Sequence, residues 1–268
     1  MTRFDSATMV AAVGEGRYTA ELDPGYLIGR AINGGYLMAI MQRAALIESP
    51  HAHAVSSSYH FLRPGTAGPA EIDVAVLKAG RTVATVQVTA RQNGAALVTG
   101  TIATATMDPS AVPVYEAEPA PVPPIEECVR FDPRAGQIST TSFIERVDQY
   151  YTQESWDRIN RRAADPVPEL VGHVRLSEVD GRDNDDPSLF LPLAVDSLPP
   201  LVVTLASWRW APTVELTWHM RAIPEPGPLT FRSRAAAVND GWFDETVDLW
   251  DTKGRLVAQS RQLARSSR

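Results

Sequence analysis

Two stretches of this chain carry the same order of residues at one constant offset. SSSYHFLRPGTAGP (Ser56 to Pro69) aligns with ELTWHMRAIPEPGP (Glu215 to Pro228), so His60 and His219 stand 159 residues apart, as do Gly68 and Gly227. The first anchor is followed by AEIDVAVLKA, a turn at Gly80, TVATVQVTAR, a turn at Asn93-Gly94, and AALVTGTIATAT. The second is followed by LTFRSRAAAV, a turn at Asn239 to Gly241, WFDETVDLW, a turn near Lys253-Gly254, and RLVAQSRQLA. These runs are strand-like, and Asn-Gly between two of them is a strong hairpin signal because both turn positions need positive φ. Solenoid units repeat every 20 to 50 residues or so, and this offset is far longer. The chain is therefore a duplicated domain.

Each copy has one helix before its strands. Leu37, Ile40, Met41, Ala44 and Ala45 fall at i, i+3, i+4, i+7 and i+8, which predicts an amphipathic helix over Tyr36 to Ile47, with Asn33, Gly34 and Gly35 as start signals. In the second copy Asp186 and Pro187 make a good helix start, and Leu189, Leu193 and Asp196-Ser197 share one face. Pro192 costs ~3 kcal/mol inside an ideal helix, so a kink or a later start is expected, with a second distortion at Pro199-Pro200. Asp196 then puts a carboxylate on an otherwise apolar stripe. One helix followed by grouped strands predicts an α+β class and argues against alternating β-α-β. The prolines from Asp108 to Pro133 predict a linker, which divides the chain into 1–107, 108–140 and 141–268, the two copies sharing one continuous sheet.

Composition narrows the chemistry. The single cysteine, Cys128, permits no internal disulfide and no cysteine-rich metal site. No run of ~18 apolar residues occurs, and Asp5 interrupts the start where a signal peptide needs its apolar stretch, so a soluble cytoplasmic protein is expected with no membrane span. A formal charge of −7 argues against nucleic acid as a partner, since phosphate binding needs clustered cations. G-x-S-x-G, Walker, G-x-G-x-x-G and H-E-x-x-H signatures are all missing. The acidic run Asp180 to Ser188 reads as a solvated turn leading into a helix cap, and His60 and His219 read as structural strand histidines. No serine or cysteine has an activating local signature, so water is the expected attacking group if the chain is a hydrolase.

The combination of helix, FLRPG strand and antiparallel sheet, duplicated in one chain, resembles the double hotdog fold of the acyl-CoA thioesterase II family. INGGYLMAIMQRA (Ile32 to Ala44) resembles that family's Gly-Gly helix entry, SYHFLRPG (Ser58 to Gly65) its first strand, and AGRTVATVQVTARQNG (Ala79 to Gly94) its hairpin. AVDSLPPL (Ala194 to Leu201), TVELTWHMR (Thr213 to Arg221) and GRLVAQSRQLA (Gly254 to Ala264) resemble the segments that carry its catalytic aspartate, threonine and glutamine. The resemblance thus implies two tandem hotdogs, each a central helix wrapped by antiparallel sheet, with Asp196, Thr213 and Gln262 on the triad positions. It departs at Glu215, where the family commonly has aspartate, and at Ala222-Ile223, which replace an arginine-proline pair.

The expectation is hydrolysis of fatty acyl-CoA without a bound cofactor. Asp196, Thr213 and Gln262 form a donor and acceptor set suited to holding a water. Backbone N–H groups at Gly34, Gly35 and Tyr36 are expected to meet the oxyanion at the start of the helix. Substrate contacts are expected from Asn33, Gly34, Gly35, Tyr36 and Phe61, with Ile40 beside the acyl slot. Arg63, Lys78 and Arg81, or Arg232 and Arg234, are the candidate cations for the coenzyme A phosphates. Two other functions stay open: a non-catalytic acyl-CoA binding or sensing protein, and an enoyl-CoA hydratase of the same superfold. A homodimer or higher homo-oligomer of such units fits the resemblance, as does a monomer.

Overall fold

A computed structural model describes the chain except for residues 133–141, 165, 179, 182–185, 207–208 and 267–268. The first half runs α1 (Arg3–Ala7), β1 (Ala11–Gly14), β2 (Arg17–Leu22), β3 (Leu27–Ile28), β4 (Ala31–Ile32), α2 (Gly34–Glu48), β5 (His53–Phe61), β6 (Gly68–Lys78), β7 (Ala84–Gln92) and β8 (Ala95–Ala105). The second runs β9 (Val129–Arg130), β10 (Val147–Tyr151), α3 (Gln153–Ile159), β11 (Glu169–Leu176), α4 (Leu191–Val195), β12 (Thr213–Met220), β13 (Leu229–Arg234), β14 (Val238–Asn239), β15 (Trp242–Trp250) and β16 (Leu256–Arg265).

One sheet of 14 strands joins the halves in the order β1-β2-β6-β7-β8-β5-β12-β16-β15-β13-β11-β10-β9, with β14 paired to β15. All of these pairings are antiparallel, and the architecture is the α+β double hotdog that the resemblance implies. The seam is β5 against β12, where Ser58 lies opposite Thr217 and their hydroxyls are 2.8 Å apart. These two residues are themselves one repeat offset apart, so the halves meet about an approximate two-fold at this pair. At the β7–β8 hairpin Asn93 and Gly94 take φ of 52° and 76°, the conformation expected of an Asn-Gly turn.

Asn33 starts α2, its side-chain carbonyl accepting the Tyr36 N–H at 2.9 Å. The helix is less amphipathic than its spacing suggests: Gly35 to Gln42, Ala44 and Ala45 are all buried. It lies against the first half's sheet on one side and against α4 on another. Its counterpart in the second half is broken, as the prolines demand. A 3-10 turn at Pro187–Phe190 leads into α4, where Pro192 sits harmlessly in the first turn, and Pro200 precedes another 3-10 turn at Leu201–Thr204. Asp196 therefore ends a helix instead of standing within one.

Three features depart from the sequence reading or add to it. β1, β2, β10 and β11 extend both sheet edges. The proline-rich segment is applied to the protein: Glu116 accepts the Leu256 N–H at 2.9 Å, Ala120 and Val122 cover Val171, Trp250 and Leu256, and β9 joins the sheet edge. The boundary expected at residue 140 lies outside the described residues. Asp180 is not part of a solvated turn but fully buried, accepting from the Tyr26 hydroxyl at 2.6 Å and paired with Arg146 at 3.2 Å, a tie between the halves. The rest of that acidic run lies partly outside the described residues, although Asp186 does cap the turn that follows it.

Candidate active site

Asp196 emerges from the end of α4 onto the N-terminus of α2. Its Oδ2 accepts the Gly35 backbone N–H at 2.7 Å and the Asn33 side-chain amide at 3.2 Å, and the same amide holds the Asp196 carbonyl at 3.1 Å. Asn33 thus both caps α2 and fixes the aspartate. The fit depends on the two glycines. A Cβ on Gly35 would come within 2.7 Å of the Pro192 carbonyl oxygen and 3.0 Å of the Asp196 Cβ. One on Gly34 would meet the Phe61 ring at 2.7 Å and Asp196 Oδ2 at 3.0 Å. Burial raises the Asp196 carboxyl from its ordinary value to about 7, while the Gly35 and Asn33 hydrogen bonds oppose the rise. Desolvation outweighs the two donors here.

A second polar group crosses four adjacent strands on the inner face of the sheet. Thr213, at the start of β12, donates to Gln262 Oε1 on β16 at 2.6 Å. Gln262 lies opposite Glu245 of β15, near enough that its side chain favours the charged form of that carboxyl. Glu245 in turn accepts from the Ser233 hydroxyl of β13 at 2.9 Å and from the Leu201 N–H at 3.3 Å. It is 2% exposed, and burial lifts its carboxyl to about 7; the nearby Asp196 charge adds to the rise, while the Ser233 and Leu201 hydrogen bonds and the Gln262 side chain oppose it. Glu245 therefore neighbours both Asp196 and Gln262. The sequence reading passed over it, yet a signal was present: the inward positions of WFDETVDLW read Phe243, Glu245, Val247, Leu249, with a carboxylate in the apolar phase.

The remaining expected residues divide. Asn33, Gly34, Gly35 and Phe61 gather around Asp196. Two of the three helix N–H groups expected to meet an oxyanion are engaged, Gly35 donating to Asp196 and Tyr36 to Asn33. Tyr36 is a packing residue, fully buried, stacked on Tyr26 at 4.0 Å and donating its hydroxyl to the Ala7 carbonyl at 2.6 Å. Ile40 is likewise fully buried in the core. Exposed Arg63 follows Phe61 at the same end of α2, donating to the Ala96 carbonyl at 3.1 Å. Lys78 and Arg81 flank Gly80, whose carbonyl bonds His51 just beyond the C-terminus of α2. That end lies ~20 Å from Asn33 for a helix of 15 residues. Arg234 is engaged with Asp248 at 3.2 Å, and Arg232 sits on the same strand across from Asp248. His60 and His219 are exposed on the outward face of the seam strands, not structural groups in a core. Among the described residues no group of three His, Cys, Asp or Glu is placed to hold a metal ion, and no helix is long and apolar enough to cross a membrane.

Comparison with known proteins addresses the chain as a whole. Residues 22–108 match the acyl-CoA thioesterase N-terminal domain family, and residues 124–266 match the acyl-CoA thioesterase C-terminal domain family. A crystal structure of a candidate thioesterase II from Thermobifida fusca YX is 60% identical and superposes with a TM-score of 0.95, covering 100% of this chain and 98% of that one. The tesB protein of Mycobacterium avium subsp. paratuberculosis shares the fold at 18% identity and a TM-score of 0.80, over 99% of this chain and 98% of its own. An uncharacterised protein of Mycobacterium tuberculosis strain H37Rv is 26% identical over 92% of this chain and 90% of its own length.

Proposed function

We propose, from the premise that this chain belongs to the acyl-CoA thioesterase family through both of its halves, that it hydrolyses fatty acyl-CoA to the free acid and coenzyme A. The observation that carries the mechanism is the placement of Asp196, a carboxyl raised to about 7 and held by Asn33 and Gly35 where the two halves meet. A general base works best when its pKa lies near the working pH, and this one does.

The reacting water is oriented by Asp196 and by the Thr213 hydroxyl, whose own proton is given to Gln262 so that its oxygen is left to accept from the water. The water oxygen attacks the thioester carbonyl carbon as its proton passes to Asp196. The tetrahedral intermediate collapses with cleavage of the C–S bond, releasing the acid and a thiolate that takes the proton back from Asp196. A thiol of pKa ~8.5 leaves readily, which suits a site with no histidine beside Asp196. Phe61, half-buried against Gly34, offers an apolar surface at the start of α2, and Arg63 offers a cation at that end for a phosphate of coenzyme A.

The test is steady-state release of free thiol from acyl-CoAs of increasing chain length. Turnover with a chain-length optimum is expected. Saturable binding of an acyl-CoA with no thiol released would overturn hydrolysis in favour of a binding protein.

A further inference from the structure

We infer that Glu245 is a positioning residue of the same site, fixing the direction of hydrogen bonding through Gln262 to Thr213 and setting a second buried charge beside Asp196. The inference rests on the hydrolytic reading given above. Its ground is the geometry of four strands: Ser233 donates to Glu245, Gln262 stands opposite Glu245 in the register, and Thr213 donates to Gln262, with the Leu201 N–H reaching Glu245 from the turn after α4.

The direction of that row matters. An ionised carboxylate can only accept hydrogen bonds, so Glu245 draws the amino group of Gln262 to itself. The Gln262 carbonyl is then turned toward Thr213, and the Thr213 hydroxyl must donate to it, as it does at 2.6 Å. The lone pairs of Thr213 are thereby left facing the water. A neutral amide at position 245 both donates and accepts, so it no longer selects this orientation of Gln262, and half of the alternatives turn the Thr213 proton outward.

Charge provides the second link. The titratable groups facing Glu245 are Asp196 at the end of α4 and Tyr151 of β10, whose hydroxyl is pushed up by burial and by the Glu245 charge. Around Asp196 stand Asn33 and Gly35 from α2 and Glu245 from β15. Charges at 245 and 196 repel each other, so removing the one at 245 is expected to make Asp196 easier to ionise.

The experiment compares the parent with Glu245→Gln by kinetics on one acyl-CoA and by NMR titration of the Asp196 side-chain carboxyl in protein labelled with carbon-13 aspartate. Expected are a kcat at pH 8 lower by about tenfold, a KM within about twofold of the parent, and an Asp196 midpoint lower by about half a pH unit or more. An unchanged kcat, or an unchanged Asp196 midpoint, overturns the assignment. A residue that merely packs would not move that midpoint. If Glu245→Gln does not fold, Ser233→Ala removes one support of the ionised carboxylate and is expected to change kcat and midpoint in the same directions by smaller amounts; no change in either overturns the assignment. The titration needs no turnover, so a parent that releases no thiol refutes the hydrolytic reading, while the Asp196 midpoint still decides whether Glu245 is coupled to it.

Discussion

Asp196 sits between opposing influences: burial favours its neutral form, while the Gly35 N–H and the Asn33 amide favour the anion. Burial prevails and places the carboxyl at about 7. As a base it must be ionised, so kcat/KM is expected to rise with pH through about 7 and to level off above it; a profile flat from pH 5 to 9 would remove Asp196 from the role. Glu245 makes a separate prediction for stability. Its folded carboxyl is raised to about 7 from 4.5, so the folded state binds the extra proton between those values. That contribution is complete below about 4.5 and is lost as pH rises through about 7, a loss of the order of 3 kcal/mol at most for a shift of this size. Glu245→Gln carries no such ionisation. Denaturant melts at pH 5 and pH 8 are therefore expected to show a smaller decline in the variant than in the parent. The site accordingly keeps two carboxyls that lower stability at the pH where it works, a common feature of functional sites.

The contact between α2 and α4 is where element geometry decides function. Gly35→Ala would drive a methyl into the Pro192 carbonyl, the Leu193 Cα and the Asp196 Cβ, none of them the far end of a flexible side chain. A loss of about 1 to 3 kcal/mol in denaturant melts is expected, together with loss of hydrolysis, since the Gly35 N–H and Asp196 move apart. Parent-like stability and rate would mean that the two helices are not held this closely. Much of this level was legible beforehand. The apolar spacing from Leu37 to Ala45 and the Asn33 cap located α2, and the Asn93-Gly94 turn located a hairpin. Pro199-Pro200 forecast the break that leaves Asp196 at a helix end. The edge strands were not legible, because β2 pairs with β6 some fifty residues away (Arg17 with Asp73), and no short turn announces such a pairing. Lys78 and Arg81 lie in a turn that the length of α2 separates from Asn33, a distance not readable from the sequence.

At the scale of the molecule the two halves are joined in one sheet. The β5–β12 seam makes the sheet continuous, the main core cluster contains residues of both halves, and the Tyr26–Asp180–Arg146 group ties them again. Calorimetric unfolding is expected to give one transition with equal calorimetric and van't Hoff enthalpies; two separate transitions would show the halves to be independent. The repeat offset made the pairing of halves readable, and the resemblance already divided the expected residues between them, with Glu245 missed. The first half supplies Asn33, Gly35 and Phe61, while the second supplies Asp196, Thr213, Glu245 and Gln262, so the candidate site exists only in the joined molecule. The most direct test of that account is the rate of thiol release from a good acyl-CoA substrate by Asp196→Asn. The isosteric amide keeps the shape of the site but cannot take the proton, so kcat is expected to fall by about 100-fold or more with KM little changed. A variant that hydrolyses as fast as the parent would contradict the account.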